Sequence, residues 1–332
     1  MTPASAPLAL RFAVPEQLGA DMLAGFDPAA TVADLAGETM GTRWAVRLAL
    51  PGGLDRDALA RAIQARLDGI EQEMSHWRAD SLLCRYNLAQ PGSWTSLPPD
   101  FAAVIVGALD VAERSQGAFD PAQGRLTDAW GLGPRPAAAT PSAEDVAAAR
   151  AAGGWHRLVF EPAMARLRQP GGLWLDLSGV AKGHAADAVA DLLADRGLRH
   201  AFVEVGGECV GRGIRPDGDP WWVELETPPA FGPKLECAPI RVALHQLAVA
   251  TSGDYLRGAH TLDPATGYPP AQGATAVSVL HASCLFADAW ASALGVLPSD
   301  RAQALAEREG LCVRLLTRDG TEWLSSAFRR ML

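Results

Sequence analysis

Leu175 to Asp191 reads LDLSGVAKGHAADAVAD, and the change of periodicity inside it decides the fold class. Trp174, Leu175 and Leu177 alternate with polar neighbours up to Ser178, which predicts a strand. From Gly183 onward Ala186, Val189, Ala190 and Leu193 recur at three- and four-residue spacing, which predicts a helix. The turn between them holds Gly179, Lys182 and Gly183, with Asp176 just before it. A turn that opens a helix presents N–H groups and a positive dipole end to an anion, and Lys182 adds a full positive charge. An ordinary strand-to-helix turn carries the same pattern, so the flanking sequence has to decide.

Towards the C-terminus the sequence predicts strands over Ala201–Val210, Trp221–Leu225, Ile240–Leu244 and Thr275–His281. Gly206-Gly207 lies inside the first, where glycine signals a bulge or a close approach to the backbone. Helices from about Leu285 and from Ser299 follow, then a strand pair at Leu311–Leu316 and Trp323. Towards the N-terminus, MGTRWAVRLAL (Met40–Leu50) alternates as a strand ended by Pro51-Gly52-Gly53. Leu59, Ile63, Leu67, Ile70, Met74 and Trp77 then keep helical spacing. Asp80–Asn87 reads as a cap and turn, and Pro98-Pro99-Asp100 opens a helix that ends near Gly117. Gly117–Gly131 is rich in turn formers yet carries Phe119, Leu126 and Trp130, the composition of a ligand wall. Residues 134–141 read as a surface linker before an Ala-rich helix. Strands and helices do not alternate regularly, so the fold class is α+β rather than a βαβ array. Residues 1–35 are expected to be a loosely packed lead-in, and 36–332 one domain.

Composition narrows the function. The chain has 332 residues, 48% of them hydrophobic, enough for a large core. A formal charge of −9 argues against a nucleic-acid surface, which needs clustered Lys and Arg. No apolar run approaches the ~20 residues that span a bilayer, so no transmembrane segment is expected. The start, MTPASAPLALRFAVPEQLGADM, lacks a basic n-region and a long apolar stretch, and a cytoplasmic location is expected. Cys84, Cys209, Cys237, Cys284 and Cys312 are widely spaced and odd in number. They form no zinc pattern, and each is expected to be a small buried hydrophobe.

Two further stretches can carry chemistry. In FADAWASAL, Asp288 and Ser292 stand four residues apart on a helix and face one side, offering two oxygen ligands to a hard cation. In HTLDPATG, His260 precedes a tight turn from Asp263-Pro264 to Thr266-Gly267. Capping and loop formation explain each piece taken alone, whereas their order along the chain does not come apart so easily. MGTRW, SLLCRYN, GAFDPAQGRLTDAWG, LDLSGVAKGHAAD, VEVGGE, ATSGDY, HTLDPATG and ADAWASAL run from Met40 to about Leu294, and together they resemble the FAD:protein FMN transferases, the ApbE-like flavin transferases.

The resemblance implies a two-lobed α+β fold of mixed, largely antiparallel sheets, with a flavin cleft between the lobes. It implies Mg²⁺-dependent cleavage of the FAD pyrophosphate, transfer of FMN through a phosphoester to a Ser or Thr hydroxyl of a partner flavoprotein, and release of AMP. By motif position Met40, Trp77, Ala118, Phe119, Asp120, Asp176, Lys182 and Leu262 are then the FAD contacts. The Gly179 carbonyl, Asp288, the Ala291 carbonyl and Ser292 hold the metal, and His260 is the base. Ser292 stands where the family usually carries Thr, and the hydroxyl is kept. An FAD pyrophosphatase, with water as acceptor, would use the same residues. A flavin-binding module without turnover would not need Asp288, Ser292, Lys182 and His260 together.

Overall fold

The computed structural model of the chain describes residues 9–16, 19, 23–137, 139–228, 238–253, 261–270 and 274–332. Within them the order is β1 (Arg11–Ala13), β2 (Thr31–Thr39), β3 (Thr42–Leu50), α1 (Arg56–Met74), α2 (Leu82–Asn87), β4 (Trp94–Ser96), α3 (Pro99–Arg114), α4 (Gly124–Ala129), α5 (Ala143–Ala152), β5 (Val159–Glu161), β6 (Arg166–Arg168) and α6 (Ala181–Asp195). After α6 come β7 (Ala201–Val205), β8 (Glu208–Arg212), β9 (Trp221–Glu224), β10 (Ile240–Leu244), β11 (Leu247–Gly253), β12 (Ala274–His281), α7 (Cys284–Gly295), α8 (Ser299–Arg308), β13 (Cys312–Thr317), β14 (Glu322–Leu324) and α9 (Ser326–Arg329).

Eight strands form one antiparallel sheet in the order β14-β13-β12-β11-β8-β7-β3-β2. A smaller sheet, β1-β10-β9, contains the parallel pair β1–β10, and β4-β6-β5 makes a third. The class is therefore α+β with largely antiparallel sheets, as expected. Helices α1, α6 and α7 pack against the large sheet, while Ile240, Val242, Leu244 and Phe328 form a second core with Val249 and Leu280. With layers on both sides, β12 is buried from Ala274 to Leu280 and shows no polar alternation. Leu126, Val146 and Leu262 form a separate small core joining α4, α5 and the 261–268 turn, where Trp130 donates its indole N–H to Gly267 O at 2.9 Å.

Several expectations are corrected. Trp174–Ser178 is not a strand. Trp174 makes one parallel bridge to Gln123, the Leu175 N–H goes to Asn87 Oδ1 at 2.8 Å, and the Asp176 N–H goes to Pro121 O at 2.9 Å. Leu173, Leu175 and Leu177 are buried, which makes the strand-like pattern, but their backbone neighbours are a side chain and a turn. Ala201–Val210 is a hairpin rather than one strand. Gly206 and Gly207 form its two-residue turn with φ of 60° and 102°, the primed geometry that glycine permits. Trp77 lies beyond α1, because Ser75 is extended and stops the helix after Met74. The 117–131 loop contains α4. The expected break at residue 35 falls inside β2, where Leu35 pairs with Val46, and Ala13 of the lead-in is fully buried in β1. Cys84, Cys209, Cys284 and Cys312 are unpaired, and Cys237 lies outside the described residues.

α6 starts at Ala181 and touches α7 so closely that a Cβ on Gly183 would lie 2.3 Å from Cys284 O and 2.8 Å from Asp288 Cβ. A backbone carbonyl cannot step aside as a flexible side chain can. Gly183→Ala is therefore expected to cost about 1–3 kcal/mol, more than the gain in helix propensity returns. A lower denaturation midpoint checks this; an unchanged midpoint contradicts the close packing.

Arg66 of α1, Asp100 of α3 and His184 of α6 tie three helices together. Asp100 accepts from Arg66 at 2.7 Å and lies 3.0 Å from His184 Nε2. The Arg66 hydrogen bond, then that of His184, holds the Asp100 carboxyl far below the usual carboxylate range against the opposing effect of burial. A carboxyl whose folded-state pKa lies below its unfolded value of about 3.9 adds stability that is complete above that value. The same stability disappears as pH falls through the folded-state pKa. Asp100→Asn should thus cost about 1–3 kcal/mol at neutral pH. The gap from wild type should narrow below about pH 4, measured by denaturant unfolding at both pH values. A gap independent of pH would contradict the ion-pair assignment.

Candidate active site

The site sits at one end of the large sheet. Met40 and Gly41 form the β2–β3 turn with φ of 50° and 66°, and the Gly206-Gly207 turn lies beside it, with the Gly206 N–H on Arg43 O at 2.9 Å. β11 runs past β8 at the same end, so Thr251, Ser252 and Gly253 project beyond it. Facing these turns are the 176–182 turn and α7. A cleft of about 670 Å³ lies between them, walled on its remaining side by Phe119, Thr127, Leu132 and Leu262. Of the residues singled out in the sequence, Met40, Trp77, Ala118, Phe119, Asp120, Asp176, Gly179, Lys182, Leu262, Asp288 and Ser292 all line this one cleft. Ala291 packs into the core beside Ser292 and is not in the lining. His260 lies outside the described residues.

α6 and α7 cap one another. Asp187 of α6 accepts the Cys284 and Leu285 N–H groups and the Ser283 hydroxyl, while Asp288 of α7 accepts the Gly183 N–H at 3.0 Å. The expectation of free N–H groups at the α6 start is thereby corrected. The Val180 and Ala181 N–H groups also bond, both to Leu177 O, so side chains rather than a bare helix end set the local charge. Lys182 is ion-paired with Glu208, the first residue of β8. Burial raises the Glu208 pKa; Lys182 opposes this, and Asp288 adds to it. Burial likewise raises the Asp288 pKa, opposed by Lys182 and by the Gly183 hydrogen bond.

Asp176, at the start of the same turn, holds its charge differently. Burial alone would raise the Asp176 pKa, yet His76 at 3.7 Å, the Ser178 N–H and hydroxyl, and the Thr127 hydroxyl at 2.5 Å together lower it. Asp176 is thus an ionised, firmly oriented acceptor. Asp120 goes the other way: burial raises its pKa despite the Ala122 N–H bond at 2.8 Å. Trp77 is 64% exposed at the rim, its ring tilted against His76.

Sequence reading missed Glu208, His76 and Glu71. Glu71 accepts the Met40 N–H and so fixes the turn at the cleft. For Glu208 the sequence offered only its place after Gly206-Gly207, which marks a turn and assigns the acid no role. His76 and Glu71 gave no signal, since one follows the helix end and the other sat among polar helix residues.

The donor chemistry fits a hard divalent cation. Among the described residues no group of three His, Cys, Asp or Glu could hold a metal, so a cation here relies on mixed oxygen donors. A Cβ on Gly179 would lie 2.8 Å from Ser292 Oγ, which brings the turn backbone and the hydroxyl together beside the Asp288 helix face. The buried Asp288 and Glu208 carboxylates share Lys182 as a cation acting on both, and a second positive group would relieve their burial.

The pattern of the ApbE family matches residues 40–315. The chain belongs to the ApbE family. The FAD:protein FMN transferase of Klebsiella pneumoniae is 32% identical over 92% of this chain and 91% of its own length. That of Vibrio cholerae is 33% identical over 94% and 96%. Among solved structures, the apo form of the flavinyl transferase ApbE from Pseudomonas stutzeri superposes with a TM-score of 0.84 at 33% identity, covering 91% of this chain and 97% of that one. The V. cholerae flavin transferase ApbE gives 0.84 at 32%, covering 91% and 100%. Membership in the ApbE family agrees with the antiparallel α+β architecture described above.

Proposed function

We propose that the protein is an FAD:protein FMN transferase that moves FMN from FAD to a Ser or Thr hydroxyl of a partner flavoprotein, with Mg²⁺ as cofactor. The acceptor oxygen attacks the phosphorus of the FMN half, forming a phosphoester. The bond from that phosphorus to the bridging oxygen breaks, and AMP leaves with the bridging oxygen. The acceptor proton passes to His260, a group whose ordinary pKa of ~6.5 suits a base near neutral pH.

The observation that carries this reading is the shared cleft. Its lining divides between aromatic and apolar groups at Phe119, Trp77, Met40, Ala118 and Leu262 and polar or charged ones at Lys182, Asp288 and Ser292. Phosphoryl transfer consists mainly of positioning and charge neutralisation, and a site split in this way does both. Phe119 and Trp77 offer ring faces to a flat heterocycle. Asp176 and Asp120 offer acceptors to its polar edges. Lys182, held by Glu208, faces the phosphates. Asp288, Ser292 and the Gly179 and Ala291 carbonyls would hold Mg²⁺, which when bound supplies Lewis-acid neutralisation of the pyrophosphate oxygens.

Incubation with FAD, Mg²⁺ and an acceptor flavoprotein tests the reading. AMP should appear in step with covalently bound flavin, and a chelator should stop both. AMP without bound flavin would favour hydrolysis. No consumption of FAD, or turnover indifferent to the chelator, would overturn the proposal.

A further inference from the structure

The Lys182–Glu208 pair is placed oddly for a purely structural ion pair. Glu208 is buried, and besides the Thr251 backbone it is Lys182 that offsets the cost of burying its carboxylate. Lys182 precedes Gly183, whose N–H sits on Asp288 Oδ2 at 3.0 Å, so the lysine leaves the chain one residue from the Asp288 carboxylate. Its stem runs the other way. A Cβ on Gly206 would lie 3.3 Å from Lys182 Cδ, so the side chain passes along the β7–β8 turn to reach Glu208. The Lys182 charge still reaches Asp288 and favours its ionised form. Among the described residues, Asp288 is a second buried carboxylate on which that charge already acts.

We propose that Glu208 is a positioning residue that holds the Lys182 ammonium off Asp288, keeping that carboxylate open to a divalent cation. The inference rests on Asp288 being a metal ligand, as the proposed function has it. A lysine folded onto Asp288 would neutralise the ligand and occupy its oxygens, so cation binding and the Lys182–Asp288 contact exclude one another. Glu208 decides between them without touching the metal. Losing a partner that orients a metal ligand typically weakens metal binding 10–100-fold.

The test is a double-mutant cycle read by metal binding alone, with no flavin present. Mn²⁺, which accepts the same oxygen donors, is titrated into the protein while free Mn²⁺ is counted by its paramagnetic resonance. Glu208→Gln keeps the side-chain volume and should weaken Mn²⁺ binding by about tenfold or more. Lys182→Met should bind Mn²⁺ at least as tightly as wild type. The double variant should bind within about threefold of Lys182→Met, because with no ammonium to hold, Glu208 has nothing to do. Glu208→Asp, which restores the charge, should recover most of the affinity and covers the case of a misfolded Gln variant. An equal loss in both lysine backgrounds would mean that Glu208 acts only as bulk negative charge, and would overturn the proposal. So would undiminished binding by Glu208→Gln. If Asp288→Asn also leaves Mn²⁺ binding intact, the metal reading itself falls, a result distinct from the failure of the cycle.

Discussion

Asp288→Asn should leave the protein folded and reduce FMN transfer by at least about 10³-fold, since it removes several kcal/mol of charge stabilisation from the transition state. The choice of Asn follows from the structure. Asp288 accepts the Gly183 N–H, so Ala would remove a helix cap together with the carboxylate and mix two effects. Asn keeps an acceptor oxygen and the volume while losing the charge. Burial already disfavours the ionised Asp288, so the neutral side chain is no burden to the fold. Thermal unfolding should therefore change little while the rate collapses, and added Mg²⁺ should not rescue it. A variant with the wild-type rate at limiting Mg²⁺ would show that Asp288 is a cap and nothing more.

His260→Asn should slow transfer by about 10²–10⁴-fold without preventing FAD binding, the usual worth of general-base help. Thr261 and Leu262, the residues that follow it, line the cleft, and Leu262 is buried. Behind them the 263–268 turn is locked by the Gly267 N–H on Asp263 O at 2.7 Å and the Asp263 N–H on Tyr268 O at 2.9 Å. The wild-type pH profile should rise through the imidazole range, because only neutral histidine accepts a proton, and that limb should vanish in the variant. Full-rate transfer by His260→Asn would shift the hydroxyl's activation to the metal.

Helices α1, α3 and α8 were legible because each buries one apolar stripe, α1 against β2 and α6, α3 against α1 and α7, and α8 against α7 and β13. Leu59, Ile63, Leu67, Ile70 and Met74 mark α1 as clearly in the sequence as in the core. Trp77 continued the spacing by coincidence, because nothing in the spacing shows that Ser75 turns extended. Gly206-Gly207 was ambiguous for a physical reason: the residues flanking the pair are buried, and a bulge and a primed turn both require glycine there. The cleft could not be derived from spacing at all. Met40, Phe119, Lys182, Leu262 and Asp288 come from five segments, and only the sheet register and the helix packing bring them together. The family resemblance named them without saying how they meet. Glu208 stayed hidden because its role lies in its contact with Lys182, across a hairpin and a helix start.

The most direct measurement is a crystal of the Asp288-intact protein soaked with FAD and Mn²⁺, with the metal located by its anomalous scattering. The expected result is a single peak in the cleft about 2.1 Å from an Asp288 oxygen, a typical octahedral metal–oxygen distance. Ser292 Oγ and a pyrophosphate oxygen should also coordinate it, and the flavin should lie against Phe119. Metal bound elsewhere, or FAD seated outside the cleft with the Asp288–Gly183 contact undisturbed, would contradict the assignment of this cleft as the site of transfer.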